Sequence, residues 1–400
     1  MANTSVSYFF SYKGLLLGAD QKQWIVSIYT YAFQAAMSIA QIVVLMITRS
    51  YLLFLVCMIA STLLQNICIS IATDRAYPYL KEKDIKPIPK DTSHVIKQNI
   101  VGLLIHRIAG IASTPLSSLA VSMFVGARAI ALFGNYMMVT NAISRIIQRF
   151  FDAITASIGN LKVTESEERS HQVFLATFLI NACIYAGITI PTLCLFDPVV
   201  EVWLGADYIL PTGTVILVVV LFYLKGMRST VLSFTSAYGL FWQTKWKAII
   251  ETVVMVVLTF ALVMHLEIDG VLWAGILSNI FVSTTIEAYL QYKYGFPRSP
   301  KRYFALWLIY TAVILGIGAG CFVLCEMLPP MGLALTIIVR LVLSVAITIV
   351  VFALIFHRTA EWKEAAVMMG GIKRSLLAKL HRKPKQEEPE QEQDEDGVVE

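Results

Sequence analysis

The chain has 400 residues, 57% of them hydrophobic and only 15% charged, with a mean hydropathy of +0.69 and a net charge of +5. A soluble domain averages about 25% charged residues, so the composition excludes an ordinary soluble enzyme and points to an all-α, polytopic membrane helix bundle. The basic residues fall in loops at predicted helix ends, which argues against a nucleic-acid partner.

In chain order, residues 5–17 (SVSYFFSYKGLLL) are apolar but shorter than the ~20 residues a span requires. They read as the end of a helix whose beginning is missing. Residues 1–17 lack the basic start and small-residue cleavage site of a signal peptide. Ten spanning segments are expected next, at 24–47, 51–73, 98–126, 130–158, 172–196, 208–229, 246–266, 270–291, 303–326 and 331–357. Counting Lys and Arg in alternate loops, with the C-terminal tail, gives 26 on one side and 2 on the other. The positive-inside rule makes the rich side cytoplasmic. This implies a multi-pass protein of the cell membrane with a cytoplasmic C-terminus. The outer loops are short, the longest being DPVVEVWLGAD at 197–207, with Trp203 as an interface anchor. None has room for a catalytic domain.

The first two spans carry polar stripes, Ser27, Thr30 or Tyr31, Gln34, Ser38 and Gln41 on one and Thr62, Asn66 and Ser70 on the other. These read as interhelical hydrogen-bonding residues, with the lining of a polar route as the alternative. The segment from Gln98 to Lys162 is different. It reads as two long helices joined by a tight turn at Gly126, with Arg107, Arg145 and Arg149 where lipid tails would lie. An arginine at the centre of a lipid-facing helix costs roughly 2.5–3.5 kcal/mol. Asn141, Arg145, Gln148 and Asp152 recur at helical spacing, with Arg149 beside them. On the preceding helix Gly102, His106, Gly110, Ser113 and Ser117 form a second stripe, flanked by Arg107, Thr114 and Ser118. The two stripes are expected to wall a cationic cavity; the structural alternative pairs the arginines with Asp152 or with backbone. Pro115 lies inside the first of these helices and is a candidate hinge.

Glu251 and Glu287 are expected to pair with Lys247 and Lys293 near cytoplasmic helix ends. His106 is either a packing residue or a proton carrier. Cys57, Cys68, Cys183, Cys194, Cys321 and Cys325 form no C-x-x-C pair and read as small apolar residues. No metal site and no cofactor is expected. P-loop, G-x-S-x-G and H-E-x-x-H signatures are absent, so no enzymatic activity is expected. Arg358 to Leu380 reads as a basic amphipathic helix for the anionic inner leaflet, and Gln386 to Glu400 as a disordered acidic tail.

Five strings carry a resemblance: GNLKVTES at 159–166, PVVEVWLG at 198–205, SAYGLFWQTKWKAIIE at 236–251, HLEIDGVLWAGILS at 265–278 and EAYLQYKYGF at 287–296. Together they resemble the Gram-positive branch of the polysaccharide transport proteins. These are Wzx-type flippases of the multidrug/oligosaccharidyl-lipid/polysaccharide superfamily. The resemblance implies two six-helix lobes around a cleft, followed by two extra helices. It implies transfer of undecaprenyl-pyrophosphate-linked sugar repeats to the outer leaflet, for capsule, exopolysaccharide or cell-wall polysaccharide synthesis. Residues 1–97 would be the remnant of the first lobe, beginning within its fourth helix, 98–296 the second lobe, and 297–357 the added pair; 358–400 would follow as the tail. Ser117 and Ser118 depart from the acidic residue and asparagine common in relatives.

In that reading Arg107, Arg145 and Arg149 hold the pyrophosphate by paired hydrogen bonds. Asn141, Gln148, Ser113 and Ser117 face the sugar, with His106 and Asp152 in the same site. The partners implied are the lipid-linked oligosaccharide, membrane lipids, and the polymerase and glycosyltransferases of the pathway. The alternatives are a multidrug exporter of the same superfamily, for which an acidic cavity is expected, and a non-transporting membrane scaffold or degenerate fragment. An integral-membrane glycosyltransferase or polymerase would need catalytic groups in sizeable outer loops.

Overall fold

A long apolar run has few ways to satisfy its backbone amides in lipid, and the α-helix is the simplest. The computed structural model follows this rule: it is helical, with no strand among the described residues. It describes residues 11–20, 22–81, 89–329, 331–368 and 370, with backbone only for 11–12, 19, 23, 81, 111–118, 127 and 156. The side chains of Ser113, Pro115 and Ser117, and most of the expected tail helix and acidic tail, therefore lie outside the described residues.

Seven helical runs are long and apolar enough to cross a membrane: Trp24–Thr48, Tyr51–Ala76, Glu167–Leu204, Thr212–Ala237, Phe241–Tyr294, Lys301–Glu326 and Leu333–Phe356. The expected spans 98–126 and 130–158 form helices of sufficient length that are not among these seven. The expected spans 246–266 and 270–291 run together in Phe241–Tyr294.

The chain forms two compact units, residues 1–93 and 94–400. In the first, α1 (Ser11–Ala19), α2 (Gln23–Thr48) and α3 (Tyr51–Ala76) pack together. Lys13 pairs with Asp74 at 2.6 Å and joins α1 to α3. The α2 stripe meets α3, but through Ser61 and Gln65 and the Phe54 carbonyl in place of the expected Thr62, Asn66 and Ser70: Gln65 donates to Thr30 Oγ1 at 3.3 Å, Ser61 to the Phe33 carbonyl at 3.3 Å and Gln41 to the Phe54 carbonyl at 3.4 Å. These contacts are the interhelical bonds that the residue types imply.

The second unit is built from α4 (Lys90–Phe124), α5 (Ala127–Thr164), α6 (Glu167–Leu204), α7 (Thr212–Met227), α8 (Ser229–Ala237), α9 (Phe241–Ser278), α10 (Thr285–Tyr294), α11 (Lys301–Glu326) and α12 (Leu333–Phe356). Gly126, at φ 107°, makes the turn between α4 and α5. The central helix is α6, which contacts α7, α8, α11 and α12. It is apolar around most of its circumference, as a helix surrounded by others must be. Ser166 caps its start by accepting from the Arg169 amide, with Glu167 and Glu168 in the first turn. Its Phe174 and Phe178 meet Phe234, Tyr303 and Tyr310 in an aromatic core. The helices expected as an added pair, α11 and α12, thus pack directly on the central helix of this unit.

Two irregularities interrupt the run that begins at α9. Glu267 has φ 50° and ψ −126°, which breaks α9, and residues 279–284 form a π-helix before α10. Beyond α12, residues 360–368 are helical. This part of the expected surface helix faces its own bundle instead. Trp362 packs on the core, Glu361 pairs with Arg302 at 2.6 Å and Glu364 with Arg169 at 2.7 Å.

Candidate functional site

Helix α5 is two-faced. Tyr136, Thr140, Ile147, Phe151 and Ile158 are buried, while Asn141, Arg145, Gln148, Arg149 and Asp152 are exposed. The predicted stripe therefore exists as a face. Arg107 of α4 is also exposed. The arginines do not pair with Asp152, one of the two arrangements of the structural alternative: Asp152 accepts from Gln148 at 3.1 Å, and Arg107, Arg145 and Arg149 make no ion pair among the described residues.

The α4 stripe runs along α9. A β-carbon on Gly102 would lie 2.6 Å from the Phe241 backbone, so a side chain there would push the two helices apart. His106 Nε2 lies 2.9 Å from Thr244 Oγ1, and Thr252 donates to the Ala109 carbonyl at 3.3 Å. Further along, Phe124 meets Phe260 edge to face.

Between α4, α5, α7 and α9 lies a cavity of about 490 Å³, inside the range of roughly 300–1,000 Å³ usual for small-molecule sites. Of the predicted site residues it brings together His106 and Asn141. Arg107, Arg145, Gln148, Arg149 and Asp152 are not on its wall. The three arginines therefore do not line this cavity; they stand on exposed faces of α4 and α5, and Asn141 of the same α5 stripe is the residue that reaches it.

The cavity's charge comes from elsewhere. Lys225, Arg228, Lys247, Glu251 and Glu287 line it. Arg228 forks onto Glu287, with Nη2 at 2.5 Å from Oε1 and Nε at 2.8 Å from Oε2, and reaches Glu251 with Nη1 at 3.1 Å. Lys247 bonds Glu251 at 2.5 Å and also contacts Glu287. Glu287 therefore pairs with Arg228 and Lys247, not with Lys293 as expected; Lys293 lies over the rings of Tyr289 and Tyr294. The Glu251–Lys247 pair is present as expected. Two carboxylates satisfy two cations here, which is the condition under which buried charges are tolerated.

Lys225 stands apart from this network. Its side chain is exposed on the cavity wall and makes no ion pair among the described residues. Three cations face two carboxylates, so the cavity carries an excess of one positive charge. Lys225 and Arg228 owe their positions to the end of α7. The chain there approaches α6 so closely that a β-carbon on Gly226 would fall 1.9 Å from the Tyr185 ring.

Comparison of the chain with protein-family models, curated proteins and solved structures finds no match.

The Lys and Arg count places Lys225, Arg228 and Lys247 with the cytoplasmic loops, at the ends of the expected spans 208–229 and 246–266; in the structure all three lie within or between helices, Arg228 at the junction of α7 and α8. The usable signal was spacing. Lys225 and Arg228 are three residues apart and Lys247 and Glu251 four apart, each pair embedded in apolar sequence. Of the cysteines, Cys194, Cys321 and Cys325 are buried and Cys57, Cys68 and Cys183 partly so, all as free thiols.

Proposed function

We propose that this chain is a flippase that carries polyprenyl-pyrophosphate-linked oligosaccharides across the cytoplasmic membrane by alternating access. One observation carries the reading: a partly open cavity between helices of a membrane protein is lined by three cationic and two anionic side chains. At low dielectric such an excess attracts an anionic head group more strongly than the same charges would in water. It disfavours a cationic drug, the cargo of the alternative exporter.

Further support comes from the long helices α4 and α5. In this reading α4 and α5 also cross the membrane and Phe241–Tyr294 divides at Glu267, which gives ten spans. The exposed arginines of α5 would be costly against lipid, so that face is assigned to water or to the substrate's approach path. Arg107, Arg145 and Arg149 meet the head group first in this scheme, and the saccharide lies along Asn141 and Gln148. The break at Glu267 and the π-helix at 279–284 supply irregular backbone of the kind on which transporters rock. The C-terminus is cytoplasmic in this arrangement, beside the polymerase and glycosyltransferases that handle the same lipid.

The test is translocation in vesicles. The full chain is reconstituted with a fluorescent prenyl-pyrophosphoryl disaccharide in both leaflets. An external glycosidase should then consume nearly all of the substrate, against about half in protein-free vesicles. Consumption that stops at half in both would refute transport. Efflux of a cationic dye, with no translocation of the lipid, would favour the exporter.

A further inference from the structure

Within the cavity, the cations are not equivalent, and neither are the carboxylates. Arg228 turns two of its donors, Nε and Nη2, onto Glu287, which is only 5% exposed. Its third contact, through Nη1, goes to Glu251, which is 29% exposed. Lys247, itself 4% exposed, touches both carboxylates. Glu287 is thus the interior counterion of the pair, and Glu251 the member on the open side. Lys225, three residues before Arg228, adds an unpaired ammonium to the same wall.

We infer that a phosphate group binds here by exchange: Lys225 receives it, and it replaces Glu251 on Arg228 and Lys247 while Glu287 stays in place. The inference rests on reading the cavity as an anionic-lipid site, and it names the atoms that hold the anion. Charge favours the exchange. With both carboxylates in place, Lys225, Arg228 and Lys247 leave one positive charge uncompensated. With Glu251 turned toward the open side, only Glu287 remains against the three cations. The two positive charges left over match the two negative charges of a pyrophosphate diester. Geometry favours it as well. A phosphate presents several acceptor oxygens and can take the Nη1 of Arg228 and the Nζ of Lys247 together, the two donors that Glu251 bridges in the structure. In the empty site Glu251 then acts as a substitute anion that keeps Arg228 and Lys247 solvated and positioned.

The experiment is calorimetric binding to the full chain in lipid nanodiscs. Two probes are used, inorganic pyrophosphate and farnesyl-pyrophosphoryl N-acetylglucosamine. Glu251→Gln removes the competing charge and should tighten binding several-fold, whereas Lys225→Met should weaken it by on the order of tenfold. Lys225→Arg should restore it. A preference for the prenyl diester assigns the site to a lipid head group, and equal binding of the two probes assigns it to the phosphate itself; both sustain the exchange. Weaker or unchanged binding by a folded Glu251→Gln protein overturns it, as does unchanged binding by Lys225→Met. Should Glu251→Gln not fold, Lys225→Met still decides, because it breaks no ion pair among the described residues. Lys225-dependent binding without translocation would keep this site and remove the transporter reading. Translocation with affinity indifferent to Lys225 would do the reverse.

Discussion

The side-chain amide of Asn181 is bound to the carbonyl of Met227, the last residue of α7, at 3.0 Å, and shares a second bond with Gly226 at 3.2 Å. Asn181 is fully buried on the central helix α6. It thus satisfies two carbonyls where α7 gives way to α8, the point at which Arg228 leaves the helix for Glu287. Replacing it by alanine removes both of these buried bonds, a loss of about 1–3 kcal/mol, although the Gly226 carbonyl keeps the Arg228 amide. Asn181→Ala should lower the midpoint of thermal unfolding in detergent. It should also weaken anion binding, because the cap fixes the backbone from which Arg228 projects.

The contact between Gly226 and Tyr185 gives a sharper steric test. Gly226→Ala places a methyl group inside the tyrosine ring, and the two helices must separate. Overpacking of this kind costs about 1–3 kcal/mol. Shortening the partner in the double variant Gly226→Ala, Tyr185→Leu should recover part of the loss. If Gly226→Ala alone melts like the parent protein, α6 and α7 are not in contact at this point.

The two carboxylates of the cavity should differ in their effect on stability. Glu287 is the more deeply buried and holds both Arg228 and Lys247. Glu287→Gln leaves a guanidinium and an ammonium facing one remaining carboxylate, a loss on the order of 3–5 kcal/mol for a broken buried pair. Glu251→Gln should cost clearly less, since Glu251 is 29% exposed and the fork between Arg228 and Glu287 remains closed. Equal unfolding midpoints for the two variants would contradict the asymmetry on which the exchange depends.

A pH effect is expected outside the spans, in the first unit. The Asp20 carboxylate accepts from Lys22 at 2.8 Å and from the Tyr77 hydroxyl at 2.6 Å. The Lys22 bond first, and the Tyr77 bond second, hold its pKa below the ordinary aspartate value. A depressed carboxylate stabilises the folded form above its unfolded pKa, and that stabilisation is lost as pH falls through the folded pKa. The carboxyl carbon resonance of Asp20 should therefore titrate at lower pH than that of a free aspartate. Lys22→Met should move the midpoint upward.

Much of the molecule was legible in the chain itself. Long apolar runs set the helical class and the membrane-length helices, because lipid leaves an amide few other ways to be satisfied. The polar face of α5 followed from spacing alone, since one residue every 100° fixes which side chains share a side. The α2 side of the polar contacts between α2 and α3 was likewise foreshadowed by residue type. Only tertiary structure decided which way those faces turn. The arginines at 107, 145 and 149 are exposed and do not line the cavity; on α5 the opposite face, with Tyr136, Ile147 and Phe151, is the one buried in the apolar core. The cations that do face the cavity fall at the ends of the expected spans 208–229 and 246–266 and were counted with the loops there, because sequence does not show that α7 stops at Met227 and that α8 follows it without a loop. Glu287 joins Arg228 across 59 residues of chain. No local period encodes a pairing at that distance; it arises where separate helices bring buried charges close enough to neutralise one another.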